Sequence, residues 1–206
     1  MSIMDKVVAA VTPTESDEQR LEARRAARST ATQGDFLSLI LDQHEELERL
    51  FDRVRAATGA EERIAAHQEL AHLLNGHSLA EEVVLYPAMA NFDEKTRATK
   101  AYTEQTATKI QMGLLETIPV MSQEYLDKLE HIRGAVLHHM YEEEHEYMVK
   151  LLDKLPADER ERLTTRFKEE FGRYAGGLEG AMQRAGAALG TSGASRMQGN
   201  SPGLAH

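Results

Sequence analysis

Ile132-Arg133-Gly134-Ala135-Val136-Leu137-His138-His139-Met140-Tyr141-Glu142-Glu143-Glu144-His145-Glu146-Tyr147 has helical spacing, and its inner row changes character partway along. At 3.6 residues per turn, Ile132, Val136, His139, Glu143 and Tyr147 fall along one face. The row starts as core, so the imidazole and carboxylate that continue it face the core as well. His77-Ser78-Leu79-Ala80-Glu81-Glu82 can be laid over His139-Met140-Tyr141-Glu142-Glu143-Glu144 and repeats the pattern. His77 and Glu81 differ by about 40° in phase and roughly 6 Å along the axis. They continue the stripe of Leu70 and Leu74 and precede Leu85. His44 interrupts a third stripe between Ile40 and Leu47.

One such pair alone reads most simply as a satisfied core histidine beside a carboxylate. Two pairs and an inward His44 in one small core are different, because several buried ionisable groups are costly unless they pair or bind a cation. Imidazole and carboxylate without thiolate suit iron or manganese, with zinc as a further option, and disfavour an all-oxygen calcium or magnesium site. Two related pairs point to two ions.

Outward from these segments, the apolar series Phe36, Leu37, Ile40, Leu41, Leu47, Leu50, Phe51 and Val54 predicts a helix from Gly34-Asp35 to about Gly59. A second runs from about Ala60 to Met89, with Ile64, Leu70, Leu74, Val84 and Leu85 as its stripe and Pro87 near its end. A third spans about Asp93 to Thr117, and a fourth runs from a Ser122 cap to Leu155 before Pro156. Short connectors between four long helices make an all-α, up-down-up-down four-helix bundle over 34–155. Residues 1–33 form an N-terminal arm: a short amphipathic helix over Met1 to Val11, a break at Pro13, and a helix from Glu15 to Ala31 with little to bury. Residues 156–174 make a short C-terminal extra helix carrying Leu163, Phe167, Phe171 and Tyr174. The Gly, Ala and Ser-rich stretch 175–206 is expected to be a disordered tail.

The chain of 206 residues has room for one domain with extensions. Its formal charge of -10 argues against nucleic acid, which needs gathered Lys and Arg. With no Cys, disulfides, thiolate ligands and cysteine nucleophiles are excluded. No apolar run reaches the ~18 residues of a membrane helix and no signal-peptide core is present, so a soluble, cytoplasmic protein without a membrane partner is expected. No nucleotide loop or nucleophile triad appears, and the catalytic residues, if any, stay unassigned.

Asp42-Gln43-His44-Glu45, His77-x-x-x-Glu81-Glu82 followed by Leu85-Tyr86-Pro87, and His139-x-x-x-Glu143-Glu144 together resemble the haemerythrin-like, or HHE cation-binding, family over about 34–155. The resemblance implies a di-iron site: His44, His77 and Glu81 on one iron, His139 and Glu143 on the other, with carboxylates able to bridge. The family's third helix usually supplies a His within Glu-His-x-x-x-Lys, whereas this chain reads Glu104-Gln105-Thr106-Ala107-Thr108-Lys109. Either Glu104 turns in as a ligand or the second iron keeps an open position, which weakens the case for simple oxygen carriage. Helical phase leaves Glu104 and Gln105 both open, and His138 stands as an alternative to His139.

His67 fits a core or water-linked role and His72 a solvated one, while His131, His138 and His145 share a row with Glu142. The resulting expectation is a non-haem di-iron protein that binds or reacts with a small oxidant, dioxygen, nitric oxide or hydrogen peroxide, in a setting of oxidative stress. The alternative is an iron sensor or store without turnover, in which metal changes how the terminal helices pack. A protein partner or a homodimer would use those same helices.

Overall fold

Gly34 is the hinge point of the N-terminal third, since its φ of 84° lies in the left-handed region that favours glycine. It turns the chain from α1 (Asp17–Thr30) into α2 (Phe36–Ala56). The computed structural model describes residues 15–92 and 94–191, with side chains as far as Ala175, so the helix expected over Met1 to Val11 lies outside the described residues. α3 is one continuous run made of Ala60–Ala80, a π turn Glu81–Leu85 and Tyr86–Asn91. α4 is Lys95–Leu115. α5 again has three parts, Gln123–Glu142, a π turn Glu143–Tyr147 and Met148–Lys154. α6 is Ala157–Thr191. The protein is all-α, with six helices and no strand among the described residues.

Helix starts follow their capping chemistry. Ser16 and Gln19 form a reciprocal capping box on α1, and Ser122 accepts the Tyr125 N–H of α5 at 3.1 Å, as expected from sequence. Asp35 caps α2 through the Ser38 N–H at 2.7 Å, and the α6 hydroxyl of Thr164 accepts the Phe36 N–H at 3.0 Å. α2 packs on α3, α3 on α4, α4 on α5 and α5 back on α2, which closes the four-helix ring. No described helix is long and apolar enough to cross a membrane.

The bundle interior has two apolar clusters. One is built around Leu37, Ile40, Leu41, Leu85, Met148 and Phe167, the other around Leu47, Phe51, Leu70, Leu74, Ile132 and Val136. Along α2 the passage from Leu41 to Leu47 crosses His44, and along α3 the passage from Leu74 to Leu85 crosses His77 and Glu81. A polar layer therefore separates the clusters. Ile64, expected in the α3 stripe, is exposed instead. Its neighbour Arg63 is the buried one, because its guanidinium donates to the carbonyls of Val54, Ala57 and Val120 and so closes the C-terminal end of α2.

The flanking helices depart most from the sequence-based picture. α1 buries Ala23 and Ala27 against the bundle and presents its arginines to acids of α2 and α5. α6 was expected to end near Tyr174, yet it runs to Thr191, where Ala, Leu, Met, Glu, Gln and Arg outweigh the glycines as helix formers. The rest of the expected tail, 192–206, lies outside the described residues. α6 packs along α3 and α2, burying Phe167 completely while Tyr174 stays exposed. The two helices come close at Gly76, where a Cβ would lie 3.4 Å from the Ala175 Cβ, in ordinary van der Waals contact.

Candidate metal centre

Four side chains meet in the polar layer. His44 from α2, His77 and Glu81 from α3 and Glu143 from α5 are all buried, and one ligand atom of each lies within 4.8 Å of the others. His77 Nε2 is 3.3 Å from Glu81 Oε2, and His44 Nε2 is 3.4 Å from Glu143 Oε2. Among the described residues His44 Nε2, Glu81 Oε1 and Glu143 Oε2 have no hydrogen-bond partner, although the first and last are close. Orphaned donor atoms of this kind, buried and converging, are what a cation would satisfy. The residues fit a metal.

Glu143 faces two ways. Its Oε2 looks toward His44, while its Oε1 lies 3.4 Å from His139 Nε2. On that second side stand His139, the Tyr86 hydroxyl and Gln105. Tyr86 Oη is 3.2 Å from Glu81 Oε2, 3.0 Å from Glu143 Oε1 and 3.0 Å from His139 Nε2, so its one proton has two carboxylates to choose from and its oxygen adjoins the His139 ring. Gln105 Nε2 donates to both Tyr86 Oη and Glu81 Oε2, each at 2.6 Å.

The outer nitrogens of the three histidines are each held. His44 Nδ1 donates to Glu144 Oε1 at 2.8 Å, His139 Nδ1 donates to Glu104 Oε2 at 2.9 Å, and His77 Nδ1 meets Gln43 Oε1 at 2.8 Å. Carboxylate and amide oxygens accept, so the proton sits on Nδ1 and each Nε2 is directed inward.

Electrostatics follow from burial and these contacts. Burial works to lower the His44 pKa, but hydrogen bonds to Glu143 and Glu144 outweigh it and raise it to about 9. Burial drives His77 down to about 3, with the adjacent His44 adding to the effect. Burial pushes Glu81 up, helped by the Glu143 charge, whereas His139 and His44 hold Glu143 low against its own burial. Burial likewise opposes charge on His139, but Glu143 and Glu104 raise it well above the ordinary histidine range, so without metal positive charge collects on both His44 and His139, on either side of Glu143. A cation bound there would displace the Nε2 proton.

Of the residues expected from sequence, His44, His77, Glu81 and Glu143 come together, and His139 borders them. Glu104 does not join the group: its carboxylate lies behind His139, with Lys100 Nζ 3.3 Å from its other oxygen. Gln105 is the inward residue of the pair. His138 points away from the centre, toward Glu15 at 2.9 Å, and belongs to a half-buried cluster with Glu104 and Glu142 to which Lys100 already supplies a cation. His67 hydrogen-bonds Tyr125 at 2.9 Å, in keeping with a core role. His72, expected to be solvated, is partly covered and bonds the Ala175 carbonyl at 2.9 Å because α6 extends past it.

Gln43 and Glu144 were not read as parts of the site. From sequence Tyr86, like Tyr102, Tyr141 and Tyr147, is ordinarily a packing residue that could act as a ligand or hydrogen-bond donor only if it turned inward, and what turns it inward is the π turn. In an α-helix a residue five positions after Glu81 lies roughly 140° away around the axis. Here the Tyr86 N–H bonds the Glu81 carbonyl, an i to i+5 link that brings Tyr86 back over Glu81.

Residues 35–151 match the family model described as Hemerythrin HHE cation binding domain. A DNA nickase of Nostoc sp. (strain PCC 7120 / SAG 25.82 / UTEX 2576) is 24% identical over 149 residues, 69% of this chain and 42% of that protein. The chain thus spans less than half the length of that relative. No solved structure matches.

Proposed function

Because this chain belongs to the hemerythrin HHE cation-binding family, we propose that its polar layer holds two non-haem iron ions and that the protein binds or reacts with a small oxidant such as dioxygen, nitric oxide or hydrogen peroxide. The observation that carries the two-ion reading is the Glu143 carboxylate, whose separate oxygens face His44 and His139. His44, His77, Glu81 and Glu143 hold the first ion. His139 and Glu143 hold the second, with Glu104 orienting His139 from behind. Imidazole and carboxylate donors without thiolate suit iron, with manganese and zinc as the alternatives. Reduced iron held there would supply electrons to a small oxidant.

The protein's own groups shape what reaches the polar layer. Tyr86 and Gln105 present an O–H and an N–H beside Glu81 and Glu143, so a small ligand arriving there meets hydrogen-bond donors. The two apolar clusters bound the layer above and below and disfavour large or charged entrants. The net charge of -10 disfavours a nucleic-acid partner, and we assign the protein to the cytoplasm.

Iron analysis after expression in iron-replete medium tests the metal reading, with about two iron ions per chain expected; zinc or no metal overturns it. Peroxide consumption or nitric oxide binding by the reduced protein tests the oxidant reading. The alternative, an iron sensor or store without turnover, draws support from α1, whose side chains reach the residue behind His44. Iron uptake with no reaction toward either oxidant favours it.

A further inference from the structure

We infer that Arg24, on α1 and outside the stretch that carries the family match, is a positioning residue for His44 and makes metal binding depend on the docked arm. This rests on the reading of His44 as a metal ligand.

The guanidinium of Arg24 is mostly covered, with its side chain 13% exposed. Its Nε donates to Glu144 Oε1 at 2.9 Å, and a terminal nitrogen donates to Glu48 Oε1 at 2.6 Å. The same Glu144 oxygen accepts the Nδ1 proton of His44 at 2.8 Å. Glu144 is buried, so this oxygen is fixed from two directions, by α1 on one side and by α2 on the other. With Nδ1 committed, His44 turns its orphaned Nε2 into the four-residue group. Partners behind a metal-binding histidine set the ring's orientation and its basicity.

α1 has few other means of holding on. Its one large apolar side chain, Leu21, is exposed, and what it buries are the small Ala23 and Ala27. Arg20, Arg24 and Arg28 follow at intervals of four along one face. Arg28 pairs with Asp42 and Glu45, both well exposed, so only Arg24 reaches inward as far as a group that touches the site. Losing the arm would leave Glu144 buried without its guanidinium and His44 without a fixed partner.

The test uses the full chain and compares Arg24→Ala and Arg24→Lys with Arg28→Ala, which loosens the same helix without touching Glu144. Ferrous iron affinity is read by competition with a chelator, and exchange of the His44 Nδ1 proton is read by NMR on metal-free protein, with circular dichroism checking the fold. Arg24→Ala is expected to weaken iron binding by about 10-fold to 100-fold and to speed proton exchange. Arg24→Lys should restore part of both effects, and Arg28→Ala should stay close to the parent. Equal iron affinity and equal exchange in folded Arg24→Ala and Arg28→Ala overturn the inference. Absence of iron from the parent protein defeats the metal reading of His44 instead, and the proton exchange then decides alone whether Arg24 positions His44.

Discussion

α3 and α5 carry the same device, a His, a Glu four residues later and a π turn that begins at the Glu, but they build unequal halves of the site. At the sixth place of each turn, α3 has Tyr86 and α5 has Met148. The phenol enters the polar layer, and the thioether is fully buried in the neighbouring apolar cluster. The helices that face the two pairs differ as well. α2 brings His44 beside His77 and Glu81, while α4 brings Gln105 beside His139. The backbone duplication sets where side chains point, and single residue choices then decide how many donors each half offers. The outer partners follow suit: neutral Gln43 backs His77, whereas Glu104 with Lys100 backs His139.

The shared residue should matter most. Glu143→Ala is expected to empty both positions and to destabilise the fold by about 3–5 kcal/mol, since His44 and His139 lose a buried counter-charge; metal analysis and thermal unfolding check this. Metal retained in that variant would break the idea of a common carboxylate. Next, His77→Ala should remove the first ion and His139→Ala only the second. If either variant lost both ions or kept both, the division of the site into two halves would fail.

Tyr86→Phe against Met148→Leu probes the π-turn difference more finely. The first should lower retention of the second ion by about tenfold through loss of a hydrogen-bonded hydroxyl. The second should leave metal unchanged and cost less than about 1.5 kcal/mol. A measurable metal defect in Met148→Leu would show that α5's turn contributes chemically too. Smallest is the contrast behind the rings: Glu104→Gln is expected to reduce second-ion affinity by about tenfold, and Gln43→Leu to affect the first ion less, because a neutral partner adds less basicity. Gln105→His should move the halves toward equality by giving α4 the imidazole that α2 already has, visible as slower loss of the second ion to a chelator.

Much of this was legible in the residues themselves. The apolar spacing marked out α2 to α5, Ser122 and Pro156 marked ends, and the ionisable breaks in the stripes located His44, His77, Glu81 and Glu143 at one level. Constant 3.6-residue phase was the assumption that left Tyr86 undecided between packing and the site, because nothing in Glu81-Glu82-Val83-Val84-Leu85 announces an added residue in the turn. Gln43 and Glu144 sit next to His44 and Glu143 in sequence, about 100° around the helix, where they read as surface. Only packing reveals that neighbouring helices cover that angle. α1 escaped for the same reason: its contribution is ionic and tertiary, and an Ala, Arg and Glu-rich stretch gives no apolar stripe to announce it. α6 was underestimated because glycine content outweighed the helix formers beside it.

A π turn is a dislocation in a screw. Every residue after it is out of step with every residue before it by the angle of one position, so the two ends of α3 follow different threads joined at Glu81–Leu85. Leu70 and Leu74 before the turn belong to one apolar cluster, and Leu85 and Met89 at and beyond its end belong to the other. Such a helix carries one spare residue at a single place along it. Removing one residue within the turn would let it close as ordinary α-helix with Tyr86 four places after Glu81 and still over it, whereas inserting a further residue would rotate the far end and carry Tyr86 out of the layer and Met89 out of the core together.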